Sequence, residues 1–218
     1  MSSRLNNLAA NSLNDTDMCL SGQGLFCERD DRVLFNGLDF EFKSGQIIQI
    51  AGPNGAGKST LMRILLGMSA GFEGKLSWNG SALEKSRYDF NSKLLYLGHQ
   101  VGIKGNLTPE ENLKALNPSA DKKSIYSALK KVGLKGFEDL LCQGLSAGQQ
   151  RRVALARLFL ETKPLWILDE PFTAIDKDGV AELESLIVEH AAQGGLVILT
   201  THHEISAHVT TLMLGNAS

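Results

Sequence analysis

The chain has 218 residues, 43% of them hydrophobic and 21% charged, enough for one sizeable core and too little for a second full domain. A formal net charge of -2 and a pI near 6.2 exclude the broadly basic surface that drives general nucleic-acid binding. No apolar run approaches the roughly 20 residues that cross a bilayer, so a membrane role has to come through a partner.

The N-terminal MSSRLNNLAANSLNDTDM lacks a hydrophobic stretch and carries Asp15 and Asp17, which argues against a secretory signal. Residues 1–17 read as a disordered lead and 18–218 as a single domain. Cys19, Cys27 and Cys142 are odd in number and form no C-x-x-C pair. Neither a disulfide framework nor a zinc site is indicated, and a reducing compartment is the simplest home. From about Met18 to Lys43 short strands are expected, clearest where Leu38, Phe40 and Phe42 alternate with Asp39, Glu41 and Lys43.

Next, an apolar strand from Gln46 to Ala51 runs into GPNGAGKST, which meets G-x-x-x-x-G-K-[ST] in full at Gly52, Gly57, Lys58 and Ser59. Glycines at 52, 55 and 57 let the backbone approach phosphate oxygens with its N–H groups. Lys58 adds a point charge for the outer phosphates, and the Ser59 hydroxyl is a hard oxygen ligand suited to Mg²⁺. A helix starting near Lys58 turns its positive end to the anion, and its spacing predicts Leu61, Ile64, Leu65 and Met68 facing the core. Alternation in K-L-S-W before Asn79-Gly80 signals a hairpin. A core strand is predicted from Lys93 to Gly98, with Gln100 just past its carboxyl end, where α/β sheets place ligands.

A helical insert is expected over about 101–160, opening at Thr108-Pro109-Glu110-Glu111 with Thr as N-cap and Pro at the first position. In LSAGQQRRVALARLFL, Ser146 caps a helix with Leu155, Leu158 and Phe159 inward and Arg151 and Arg152 outward. PLWILDEP is apolar through Leu168 and then presents Asp169 and Glu170, as a doubly covered strand does on emerging at a site. A helix from Val180 to His190, a break at Gly194-Gly195 and a buried strand LVILTTH ending near His202 complete an alternating α/β pattern. Phosphate cradle, Mg²⁺-holding Asp169 and water-activating Glu170 together form a hydrolysis site.

With these motifs in this order, the chain from about Leu20 to its C-terminus resembles the nucleotide-binding subunits of ABC transporters. GPNGAGKST resembles their Walker A, LWILDE their Walker B and LSAGQ their signature. Gln100 matches the Q-loop glutamine, Ala174-Ile175-Asp176 the D-loop and His202 the switch histidine. The resemblance implies an α/β P-loop NTPase (RecA-like) core with a small antiparallel β subdomain and an inserted α-helical signature subdomain. It implies ATP and Mg²⁺ as cofactors. ATP would be held by Gly52, Pro53, Asn54, Gly55, Ala56, Gly57, Lys58, Ser59 and Thr60, and from a second copy by Ser146, Gly148 and Gln149. Mg²⁺ would be held by Ser59, Gln100 and Asp169, and catalysis carried by Lys58, Gln100, Glu170 and His202.

The implied partners are a second copy in an ATP-sandwich dimer and an integral membrane subunit seated near Gln100 to Leu107, with no nucleic acid. CERDDRVLF, GHQVGIK, LSAGQQRRVALARL and LWILDEPFTAID are similar to the ATP-binding subunits of cytochrome c maturation systems. Those imply haem export, or release of a haem-loaded carrier, at the cytoplasmic face of a bacterial inner membrane. A soluble ABC ATPase acting on nucleic acid or ribosomes is the alternative, but such proteins carry two cassettes or a long coiled coil, and this chain has neither. One departure stands out: where the family places an adenine-stacking aromatic, this chain has Cys27-Glu28-Arg29.

Overall fold

Every residue of LVILT is buried, and alternate side chains enter different cores, the burial expected of a strand covered on both faces. Leu196 and Ile198 join one cluster, Val197 and Leu199 the other. Leu165 and Ile167 divide from Trp166 and Leu168 in the same way. A computed structural model describes residues 17–215 and builds two sheets on this principle. The predicted lead falls almost wholly outside the described residues.

The first sheet is antiparallel. Its strands β1 (Cys19–Arg29) and β2 (Arg32–Lys43) are long ones, not the short strands expected, because register shifts after Gly22, Leu25 and Cys27 interrupt the alternation. The strand β3 (Ile47–Ala51) then enters the second, wholly parallel sheet and leads to helix α1 (Lys58–Leu65). α1 buries Leu61, Met62, Ile64 and Leu65. Met68 is 65% exposed, contrary to its helical spacing. Gly67 turns left-handed at φ 72°, and the N–H groups of Gly67 and Met68 bond the carbonyls of Ile64 and Arg63, a Schellman stop that ends the helix before Met68.

The antiparallel sheet resumes with β4 (Glu73–Trp78) and β5 (Ser81–Ala82), joined by Asn79 and Gly80, both at positive φ, as the Asn-Gly signal predicts. Its order is β2-β1-β4-β5. A helix that the periodicity did not announce, α2 (Arg87–Lys93), takes Lys93 and shortens the next strand to β6 (Leu94–Leu97).

The helical insert comprises α3 (Pro109–Leu116), α4 (Lys122–Lys131) and α5 (Ala147–Leu155) around Leu113, Ile125, Leu129 and Val153. Thr108 and Ser146 cap α3 and α5 with complete capping boxes through Glu111 and Gln149. After β7 (Leu165–Asp169), helix α6 (Lys177–Ala192) starts three residues earlier than Val180 because Asp176 caps it. β8 (Leu196–Thr200) is followed by a short edge strand, β9 (Thr210–Met213), giving the parallel order β6-β7-β8-β3-β9. No helix among the described residues is long and apolar enough to cross a membrane.

At the foot of the parallel sheet the Trp166 and His190 rings stack 3.7 Å apart, and His190 Nε2 lies 3.1 Å from the Pro164 carbonyl oxygen. Burial pushes the His190 imidazole down to about 4, against the opposing pull of that carbonyl. An unfolded chain therefore takes up a proton near pH 6.5 that the folded one refuses, so the stabilisation is complete above about pH 6.5 and is lost as pH falls toward 4. Urea unfolding at about pH 7.5 and about pH 4.5 should show a loss of about 3 kcal/mol from this group. In His190→Phe that loss should shrink sharply.

Candidate functional site

Residues 52–60 wrap the N-terminus of α1. Gly57 is its N-cap at φ 95°, a conformation costly for a residue with a Cβ. A Cβ on Gly52 would stand 2.5 Å from the Leu214 carbonyl oxygen, so the chain leaving β9 closes against the loop. Lys58 Nζ donates to the carbonyls of Gly52 (2.7 Å) and Pro53 (3.2 Å), so the ammonium is folded over its own loop. An anion seated on the loop offers that charge a stronger partner.

The opposite wall comes from β7 and β8, whose register pairs Asp169 with Thr200. Thr200 is 1% exposed, and its hydroxyl has two tasks. It donates to Asp169 Oδ1 at 2.7 Å and accepts from the Glu170 N–H at 3.0 Å. Glu170 sits at φ 50°, a left-handed turn that costs on the order of 1–3 kcal/mol in a non-glycine residue. Its N–H is also bonded by the Thr200 carbonyl. The carboxylate that this turn projects is 24% exposed and lies 3.7 Å from His202 Nε2. His203, beside His202, is anchored at 3.0 Å to Glu184, which also accepts from the Ser206 N–H and hydroxyl. These bonds hold the Glu184 carboxyl down to about 2, with the His203 bond the largest cause.

Arg151 corrects the sequence reading most. It is 7% exposed and faces in. Nη1 donates to the carbonyls of Gly98 (2.8 Å) and His99 (3.2 Å), and Nη2 to those of Asp169 (2.6 Å) and Glu170 (2.7 Å). One side chain on α5 thus ties the carboxyl ends of β6 and β7 together. Burial lowers its pKa, and the carboxylates of Asp169 and Glu170 oppose the shift. A signal existed: Arg151 stands three, four and seven residues before Ala154, Leu155 and Leu158, on the buried stripe. Arg152 is partly buried and bonds Asp176 at 2.6 Å.

The resulting cavity, about 700 Å³, is lined by Asn54, Gly55, Gly57, Lys58, Ser59 and Thr60, by Asp169, Glu170, Thr200 and His202, and by the β1–β2 hairpin. Of the predicted residues, Gln100 stays outside and is exposed, and His99 lines the wall instead. Ser146, Gly148 and Gln149 also lie outside, at the start of α5. Gly52, Pro53 and Ala56 shape the loop from behind. Thr200 was missed because its role exists only through its pairing with Asp169. The Ser59 hydroxyl and Asp169 carboxylate are both hard oxygen donors on this cavity and fit a divalent cation held with a polyphosphate.

Comparison with known proteins gives the family. The ABC transporter family model matches residues 35–173. The cytochrome c biogenesis ATP-binding export protein CcmA of Pseudomonas fluorescens (strain Pf0-1) is 53% identical over 194 residues, 88% of this chain and 92% of that protein. The protein of the same name from Yersinia pseudotuberculosis serotype I (strain IP32953) is 53% identical over 191 residues, covering 86% and 88%. Among solved structures, a putative ABC transporter ATP-binding protein from Pyrococcus furiosus superposes with a TM-score of 0.76 at 26% identity, covering 90% of this chain and 97% of that one. The chain therefore belongs to the ABC transporter family, as an ABC-type ATPase with a nucleotide-binding site.

Proposed function

We propose that the chain is the ATP-hydrolysing subunit of a membrane complex in cytochrome c maturation, powering haem export or the release of a haem-loaded carrier. It would sit as a peripheral subunit on the cytoplasmic face of a bacterial inner membrane. The observation that carries the chemistry is the convergence of Lys58, Ser59, Asp169, Glu170 and His202 on one cavity. The export role is supported by the relatives, at 53% identity, that are named cytochrome c biogenesis export proteins. Lys58 and the loop N–H groups bind the phosphates, and Ser59 and Asp169 would hold Mg²⁺. When bound, that ion offsets charge on the outer phosphate oxygens. Glu170 accepts the proton of the attacking water, with His202 beside it.

Ser146, Gly148 and Gln149 serve the site of a second copy. They open a capped helix whose first residues, Ser146 and Ala147, are exposed, so its positive end is available to a γ-phosphate across a two-fold axis. Nucleotide that bonds both chains favours the closed pair, and hydrolysis removes that preference. Gln100 opens the loop after β6, from which it would reach the cation. That loop is braced by Asn112, which bonds the N–H and carbonyl of Lys104 and the carbonyl of Thr108, so residues 100–107 form a firm seat for the membrane subunit. A net charge of -2 offers no basic surface to nucleic acid.

The test is haem transfer to the periplasmic carrier in cells whose only copy is Lys58→Ala. Transfer should stop, with the complex still assembled; transfer at the normal rate sinks the proposal. Ser146→Arg checks the trans arrangement. Size exclusion with ATP should find it monomeric, while ATP titration gives a Kd within about threefold of wild type, a ratio worth under 1 kcal/mol. Loss of binding by the monomer would place Ser146 in its own site instead.

A further inference from the structure

Arg29 and Arg32 form the last register pair of the β1–β2 ladder, separated only by Asp30 and Asp31, which both turn left-handed at φ 51° and 57°. Like charges directly opposed across strands destabilise a hairpin, and a local rule broken in this way marks a functional position. Both arginines line the nucleotide cavity. No Phe, Tyr or Trp does so among the described residues, and its two imidazoles, His99 and His202, belong to the ends of β6 and β8. The hairpin side of the cavity has charges for phosphates and no Phe, Tyr or Trp face for a base.

A flat group on the hairpin side is the Arg29 guanidinium. Nη2 donates to Ser69 Oγ at 2.7 Å and Nη1 to the Glu28 carbonyl at 3.3 Å, which fixes the plane. A Cβ on Gly71 would collide with Nη1, so that glycine leaves the seat open. Arg32 points the other way: its Nη1 would be 3.2 Å from a Cβ on Gly55, so it lies over the phosphate loop. A guanidinium plane stacks on a π-face as an aromatic ring does, and a preset one loses little entropy in doing so.

We propose that the hairpin arginines clamp the nucleoside: Arg29 stacks its guanidinium plane on the nucleobase, and Arg32 meets the phosphate nearest the ribose. Arg29 thereby sets base affinity where an aromatic side chain is absent. This rests on the nucleotide-binding reading of the cavity.

Titration calorimetry of the full chain with ATP and with inorganic tripolyphosphate separates base from phosphate. Arg29→Ala should weaken ATP about tenfold and leave tripolyphosphate within about twofold. Arg29→Tyr should restore ATP affinity, and Arg29→Lys, which keeps the charge without the plane, should not. Arg32→Ala should weaken both ligands. Should Arg29→Ala prove poorly folded, Ser69→Ala, which only frees the plane, should weaken ATP severalfold and tripolyphosphate not at all. ATP affinity unchanged in Arg29→Ala, equal losses for the two ligands, or full rescue by Lys each overturns the stacking role. Wild-type protein that binds neither ligand overturns the nucleotide reading itself, and this inference with it.

Discussion

Glu170→Gln should bind ATP with near wild-type affinity and hydrolyse it at least a hundredfold more slowly, the lower range for loss of a positioned general base. The substitution is clean because what holds Glu170 in its left-handed turn is backbone. Its N–H is bonded by Thr200 and its carbonyl by Arg151, and neither bond uses the carboxylate. An amide of the same shape keeps its place near His202 and loses only the ability to take a proton. Bound ATP then persists, and with it the paired state, so size exclusion with ATP should show a dimer that the wild type shows only transiently. Single-turnover hydrolysis at the wild-type rate would remove Glu170 from the reaction and leave His202 as the base.

What was legible in the sequence was local. The phosphate loop, the Asn79-Gly80 hairpin and the N-caps Thr108 and Ser146 depend on residues within a few positions of each other, and each stands as expected. The doubly buried strands β7 and β8 were legible because every position is apolar until the site begins. Failures came where a nonlocal contact or a terminator decided. α2 buries only Phe90, which is too little for a period to show. β9 is four mostly exposed residues that become a strand only by pairing with β3. Met68 has the spacing of a helix that Gly67 has already ended. Thr200 reads as one more residue of a buried run, and only the register with Asp169 makes it the hydroxyl that bonds the Asp169 carboxylate and the Glu170 N–H. Arg151 failed for another reason. An arginine in an amphipathic helix is ordinarily solvated, and the expectation from residue type overrode the period that placed it inward.

That inward arginine yields the second large effect. Arg151→Met keeps the length and apolar stem but strips the partner from four carbonyls, those of Gly98, His99, Asp169 and Glu170. Hydrogen bonds from a charged group contribute more than neutral ones, and breaking such a buried arrangement from one side costs about 3–5 kcal/mol. For a chain of this size that lowers Tm by on the order of 10 °C. Stability alone does not describe the loss, however. Arg151 grips the Glu170 peptide from one side and Thr200 from the other, and without it the left-handed turn is free to relax. kcat should then fall about a hundredfold, measured well below the lowered Tm, while the Kd for ATP stays within about threefold, because the phosphate loop shares no bond with this side chain. Arg151→Lys supplies one point charge without the fork, reaches fewer carbonyls, and should recover part of the Tm but little of kcat. A Met variant whose Tm drops while kcat holds would make the arginine a structural staple only. A fall in both, with Lys restoring part of the Tm and little of kcat, would show that the fork on α5 holds the Glu170 turn as well as the fold. If a second copy docks on the start of α5, as proposed, it would then act on hydrolysis through that same side chain.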